Sequence, residues 1–231
     1  MQAYRVSSCD RPLIPHAVRA GSPTELWTRS PVDFQRTEPR IIDVPGRRLK
    51  PRRLEITLQI QGRTWRRITL EVSADEGHAA ERADLFPSPS LAHFGLHLPA
   101  TTAGIAIDYQ VAQKLHACSD LHTTERPNDR VRDVVDLQLL KVAFYTENAT
   151  SSSLASACRD LFEARAREAA STGEVAVRAW PPTVVAHPHW QADYPTYAQE
   201  TGLGLSLAEA VTDLNTWIAE IERGVSRLGL G

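Results

Sequence analysis

The 231-residue chain is poor in cysteine, lysine and long apolar runs, and each shortage removes a class of protein. Its three cysteines, Cys9, Cys118 and Cys158, are odd in number, far apart and without a C-x-x-C pair. That pattern argues against a disulfide framework and a zinc ribbon and fits a reducing cytoplasm. No stretch approaches the roughly 18 consecutive apolar residues of a membrane span. The first residues, with Asp10, Pro12, Pro15 and His16, lack the apolar segment of a secretory signal, so neither export nor a membrane partner is expected. Repeats and low-complexity tracts are missing too. An excess of one charge sign is absent overall, at net −2, but only by cancellation. Residues 1–67 carry 14 Lys/Arg against 6 Asp/Glu, net +8, and residues 68–231 carry 12 against 22, net −10. Lysine is the scarce cation: Lys50, Lys114 and Lys141 stand against 23 arginines.

What is present is the composition of an ordinary globular protein, 42% hydrophobic and 23% charged, long enough for one large or two small domains. Up to about Arg48, repeated prolines forbid long elements and leave loops and short extended pieces. Alternation over Arg53–Ile60 and Trp65–Val72, joined by Gln61, Gly62 and Arg63, predicts a hairpin with Leu54, Ile56, Leu58 and Ile60 on one face. Ser73 to Thr102 reads as a polar loop with Leu85, Phe86 and Phe94 as packing anchors. Helical periodicity follows. Ile107, Val111, Leu115 and Cys118 mark a helix over about 105–120, and a second, capped near Asn128 or Asp129, runs to Phe144. A third, from Ser152 to about Ser171, turns Leu154, Ala157, Cys158, Leu161 and Phe162 inward and Arg159, Arg165, Arg167 and Glu168 outward. Trp190–Thr201 is expected to break at Pro195, and a last helix starts at a Ser206/Glu209 capping box and ends near Leu228.

Chemistry concentrates on the first two helices. Lys114 falls at the margin of the first apolar stripe, about 60° from Val111, where an ammonium is partly desolvated. Asp133 and Asp136 share a polar stripe with Asp129 and Arg132 on an otherwise apolar helix. Two readings stand: a structural ion-pair network between packed helices, or a phosphate-binding ammonium with a carboxylate that orients it or polarises an acceptor hydroxyl. The use of Lys in so arginine-rich a chain favours a compact point charge. His116, His187 and His189 lack the company a metal site needs and read as surface or hydrogen-bonded histidines. Arg47, Arg48, Lys50, Arg52 and Arg53, reinforced by Arg63, Arg66 and Arg67, make a positive patch suited to RNA, or else a solvated basic face.

The run Gln110-x2-Gln113-Lys114-Leu115-x-Ala117, followed by Pro127, Asn128 and Arg132-Asp133-x2-Asp136-Leu137, resembles the nucleotidyltransferase AbiEii/AbiGii toxin family of type IV toxin–antitoxin systems. The likeness extends over about residues 32–225. It implies an α+β fold: a partial nucleotidyltransferase-like small sheet within a basic N-terminal region, 1–100, then a helical C-terminal domain, 101–231. It implies nucleotide transfer from a nucleoside triphosphate to an RNA such as tRNA or to a protein acceptor, with Mg²⁺, and a cognate antitoxin. Lys114 inherits the triphosphate contact, with Arg132 beside it, and Asp133 or Asp136 the essential carboxylate.

The family's N-terminal motif is missing or degenerate here. A full motif has a Gly-Gly or Gly-Ser turn for phosphate and an Asp-x-Asp pair for the metal. The one candidate, Gly21-Ser22 and then Asp33-Phe34-Gln35, has a neutral amide where the second carboxylate belongs. Glu71 matches a position where such enzymes carry a third metal-side carboxylate, with an outward-facing strand residue as the plainer reading. The alternative function is an inactive family member that only binds antitoxin or RNA.

Overall fold

The computed structural model describes residues 32–43, 50–92, 98–121, 123, 125, 127–145, 152–173 and 178–226. Gly21, Ser22, Arg47, Arg48 and Phe94 lie outside these residues. Two compact units divide the chain, one within Met1–Asp75 and Leu85–Gly104 and the other within Glu76–Asp84 and Ile105–Gly231. The fold is α+β, with small antiparallel sheets and five helices among the described residues.

In the first unit, β1 (Val32–Arg36), β2 (Arg40–Ile41), β3 (Arg52–Ile60) and β4 (Arg63–Val72) form one antiparallel sheet. Central β3 pairs with β4 along one edge and with β1 and β2 along the other, Val32 opposing Ile60 and Arg40 opposing Arg53. The expected hairpin is there. Ile56 and Leu54 stand opposite Ile68 and Leu70, so the alternating apolar residues share a face across the pair. The turn is two residues long, Gln61 at φ 51° and Gly62 at φ 73°. Two left-handed residues match the twist of the flanking strands, and Arg63 accordingly belongs to β4. The register then slips: Gln59 faces Thr64 but Leu58 faces Arg66, which leaves Trp65 as the extra residue of a bulge.

The stretch expected as a loop also holds structure, a 3₁₀ turn at Ala79–Glu81 and a two-stranded sheet of β5 (Ala83–Pro87) and β6 (Thr101–Ile105). Neither strand shows the alternation that reveals strands in sequence. Phe86 does pack, against Gly104, where a Cβ would come within 2.8 Å of its Cε2. Leu85, by contrast, is 68% exposed and anchors nothing.

The second unit holds α1 (Ile107–Cys118), α2 (Val131–Phe144), α3 (Ser152–Thr172), α4 (Trp190–Thr201) and α5 (Leu207–Ser226). Helix α1 packs on α2 and α3, α2 also on α4 and α5, and α3 on α5. Their apolar stripes meet in one core that buries Leu115, Val134, Leu137, Leu161, Phe162, Trp190, Leu214, Trp217 and Ile221. Three details differ from the sequence reading. Asn128 does not cap α2 in the ordinary way: its Oδ1 accepts the Arg130 amide, while its Nδ2 donates to the Asp120 carbonyl at 2.8 Å and to the Ala117 and Cys118 carbonyls beyond. It thus serves the end of α1, whose last carbonyls lack helical partners. Arg165 turns inward to a buried carboxylate, Glu76. Pro195 lies inside a continuous α4, because it and Gln191, whose carbonyl loses a donor, both face solvent. The capping box of α5 is present: Ser206 Oγ accepts the Glu209 amide and Glu209 Oε2 accepts the Ser206 amide.

Candidate functional site

The first two helices bring their motif side chains to one point. Lys114, in the third turn of α1, donates to Asp133 Oδ1 at 2.9 Å and to Asp136 Oδ2 at 2.6 Å, both from the first turns of α2. Two forces fix this geometry. Packing of Val111, Leu115 and Cys118 with Val131, Val134 and Val135 sets the two helices together. The three-residue spacing of Asp133 and Asp136 then puts both carboxylates on the face that meets Lys114.

The Lys114 side chain is about one quarter exposed, and those of Asp133 and Asp136 are 15% and 33% exposed. Burial pulls the Lys114 pKa down, but attraction and hydrogen bonds from Asp133 and Asp136 outweigh it and hold the pKa above the ordinary lysine value. Lys114 is therefore a fixed cation. An ammonium has three donors, and the two carboxylates take two of them. Arg130 approaches the other oxygen of Asp133 at 3.9 Å. Arg132, one residue before Asp133, instead lies over the Tyr197 ring of α4 at 5.6 Å. Asp129 approaches His189 at 3.5 Å rather than joining the Lys114 cluster.

Asn128 ties the two helices together behind the site. Besides its side-chain bonds to the end of α1, its carbonyl accepts Trp190 Nε1 at 2.6 Å and His189 Nε2 at 3.0 Å. The sequence shows Pro127-Asn128 beside the motif but not this role, since the partners lie as far off as α4. Gln113, next to Lys114, reaches Glu76 Oε2 at 3.3 Å, and Arg165 binds both Glu76 oxygens. Glu76 belongs to no helix or strand, and no spacing pattern in the sequence points to it.

The remaining candidates scatter. In the first unit, Glu71 faces Arg53 across β3 and β4 and takes two hydrogen bonds from it, at 2.9 and 2.6 Å. Asp33 is exposed on β1 opposite Gln59. Gln59 and Arg53 are about 20 Å apart along β3, at roughly 3.3 Å per residue, and Asp33 and Glu71 flank opposite edges of that strand. No single ion is within reach of both. Among the described residues, no group of three His, Cys, Asp or Glu is placed to hold a metal. Of the basic cluster, Lys50 pairs with Asp43 at 2.6 Å and Arg53 with Glu71, while Arg52 is exposed on β3. His116 is buried and meets the Phe162 ring edge-on at 4.8 Å, and His187 and His189 stack at 5.8 Å.

A family model described as nucleotidyl transferase AbiEii toxin, type IV toxin–antitoxin system, matches residues 15–217. The chain belongs to that family. The AbiEii match contains Lys114, Asp133, Asp136, the two candidate sheet carboxylates Asp33 and Glu71, and the Gly21-Ser22 pair, so it begins earlier in the chain than the sequence motifs alone suggest. No curated protein matches the chain. Among the described residues, no helix is long and apolar enough to cross a membrane.

Proposed function

We propose that this AbiEii-family chain is a nucleotidyltransferase toxin that moves a nucleotide from a nucleoside triphosphate to an RNA acceptor such as tRNA, restrained by a cognate antitoxin. The observation that carries the proposal is the junction of Lys114 with Asp133 and Asp136, inside the family match. In the reaction the acceptor oxygen bonds to the α-phosphorus, the bond from that phosphorus to the bridging oxygen breaks, and pyrophosphate leaves with the electron pair. Lys114 suits the phosphate end. Its charge is secured by the two carboxylates and its third N–H is available to a phosphate oxygen, where a positioned cation stabilises developing charge. Arg132 and Arg130 add positive charge at the same end of α2.

The two aspartates divide the remaining work. Asp133 is the more buried and lies between Lys114 and Arg130, which suits holding the cations in place. Asp136 engages Lys114 through one oxygen and is the more open, which suits receiving or orienting the acceptor hydroxyl. The family implies Mg²⁺. The described residues do not fit such an ion, because Asp133 and Asp136 both hold Lys114 and no other group of three ligands gathers. No step is therefore assigned to a metal.

The presence of Gln35 two residues after Asp33, where a carboxylate is needed, favours a second reading: a family member that binds antitoxin or RNA without transferring nucleotides. Labelled nucleoside triphosphates, Mg²⁺ and total tRNA separate the two. Transfer that disappears in Lys114→Ala supports the enzyme; no transfer by the wild-type chain supports the binding module.

A further inference from the structure

The tip of the β3–β4 hairpin carries an aromatic and three cations that the nucleotide site does not use. Between Glu55 and Glu71 the hairpin has no carboxylate, yet it has Arg63, Arg66 and Arg67. All three are exposed, and Trp65 among them is 64% exposed, an unusual position for the largest apolar side chain. The bulge explains how Trp65 comes to be there. As the residue without a cross-strand partner, it is released from the regular alternation that would give it an opposing side chain, and bulges re-aim side chains in this way. Arg66 opposes Leu58 and Arg67 opposes Thr57, so the two cations flank opposite faces of β4. Among the described residues β4 pairs only with β3, so the cations line an outer edge.

We infer that this edge is a binding surface for unpaired RNA, with Trp65 stacking on a base and Arg63, Arg66 and Arg67 meeting the flanking phosphates. Stacking on an exposed indole needs a base that is free of a duplex, and cations on both faces of one edge suit a flexible polyanion that wraps it. A protein strand adding to β4 is the rival occupant, and arginines on an edge strand oppose such pairing. The inference rests on the reading of RNA as the acceptor but uses residues other than the Lys114 site.

The test is the affinity of the whole chain for a labelled, mixed-sequence unpaired RNA of about a dozen nucleotides, against a duplex of the same sequence. Trp65→Ala should weaken binding of the unpaired RNA by about 5- to 100-fold without changing its salt dependence, and Trp65→Phe should recover most of the loss. Arg63→Gln with Arg67→Gln should lower the slope of log affinity against log salt by about 1.4, two phosphate contacts at roughly 0.7 each. Equal affinity for duplex and unpaired RNA, or unchanged binding in Trp65→Ala, overturns the inference. So does a Trp65→Ala variant that keeps RNA binding but loses a co-expressed antitoxin protein, which would give the edge to a protein. Hairpin-dependent RNA binding by a chain that transfers no nucleotide would uphold this surface and refute the enzymatic reading.

Discussion

Glu76 shows how differently single residues reveal themselves. Its carboxylate is 6% exposed, bound by both Arg165 contacts and by Gln113, yet nothing around it in sequence has a period or motif. Removing it takes a buried carboxylate away from a largely buried guanidinium, so Glu76→Ala should destabilise the helical unit by about 3–5 kcal/mol, with Glu76→Gln closer to wild type. Denaturant unfolding of the two variants checks this; equal midpoints for Glu76→Ala and wild type would contradict it. Asp160 gives a pH prediction. Burial raises its pKa, but hydrogen bonds from the His78 amide, the Tyr109 hydroxyl and the His78 ring outweigh that and leave it below the ordinary carboxylate value. A lowered carboxylate stabilises the fold above its unfolded value and ceases to do so as pH falls through the folded one. The gap in Tm between wild type and Asp160→Asn should therefore shrink on acidification below the ordinary carboxylate range, and a constant gap would contradict the assignment. Lys114, Asp133 and Asp136 were legible because two helical periods place them; Glu76 and Asp160 find partners through chain reversal, which local sequence does not record.

At the scale of elements, the long periodic segments read well. Helices α1, α2, α3 and α5 lie where their apolar stripes indicate, and the Ser206/Glu209 box marks the start of α5. Ser206→Ala should cost about 1 kcal/mol, a fall in Tm of roughly 2–4 °C for a domain of this size. Calorimetry showing no fall would mean that packing, not the cap, sets the start of α5. The hairpin of β3 and β4 was legible from alternation and from Gly62, but the bulge at Trp65 was not, since one extra residue leaves the composition of β4 unchanged. The start of α1 was obscure for another reason. The Ile107 amide is met by Asp84 at 2.7 Å, a cap supplied from β5 rather than from the preceding residue. Pro195 misled because its effect depends on exposure, which sequence alone does not give.

For the whole molecule, the charge divides at Arg67 into a basic N-terminal part, net +8, and an acidic remainder, net −10, that includes the helices. The resemblance read mainly from the helical motifs agrees with the family match, which extends over residues 15–217. Division of labour between an RNA-binding sheet and a helical unit that grips the triphosphate is our reading of that asymmetry. In that reading the Lys114 cluster performs nucleotide transfer. The direct measurement is label transfer from nucleoside triphosphates to total tRNA by wild type, Lys114→Ala and Asp136→Asn, with folding monitored by Tm. Wild type should transfer label, and Lys114→Ala should fall by about 10²- to 10³-fold, the scale for removing one positioned charge-stabilising donor. Equal transfer by folded Lys114→Ala and wild type would contradict the account.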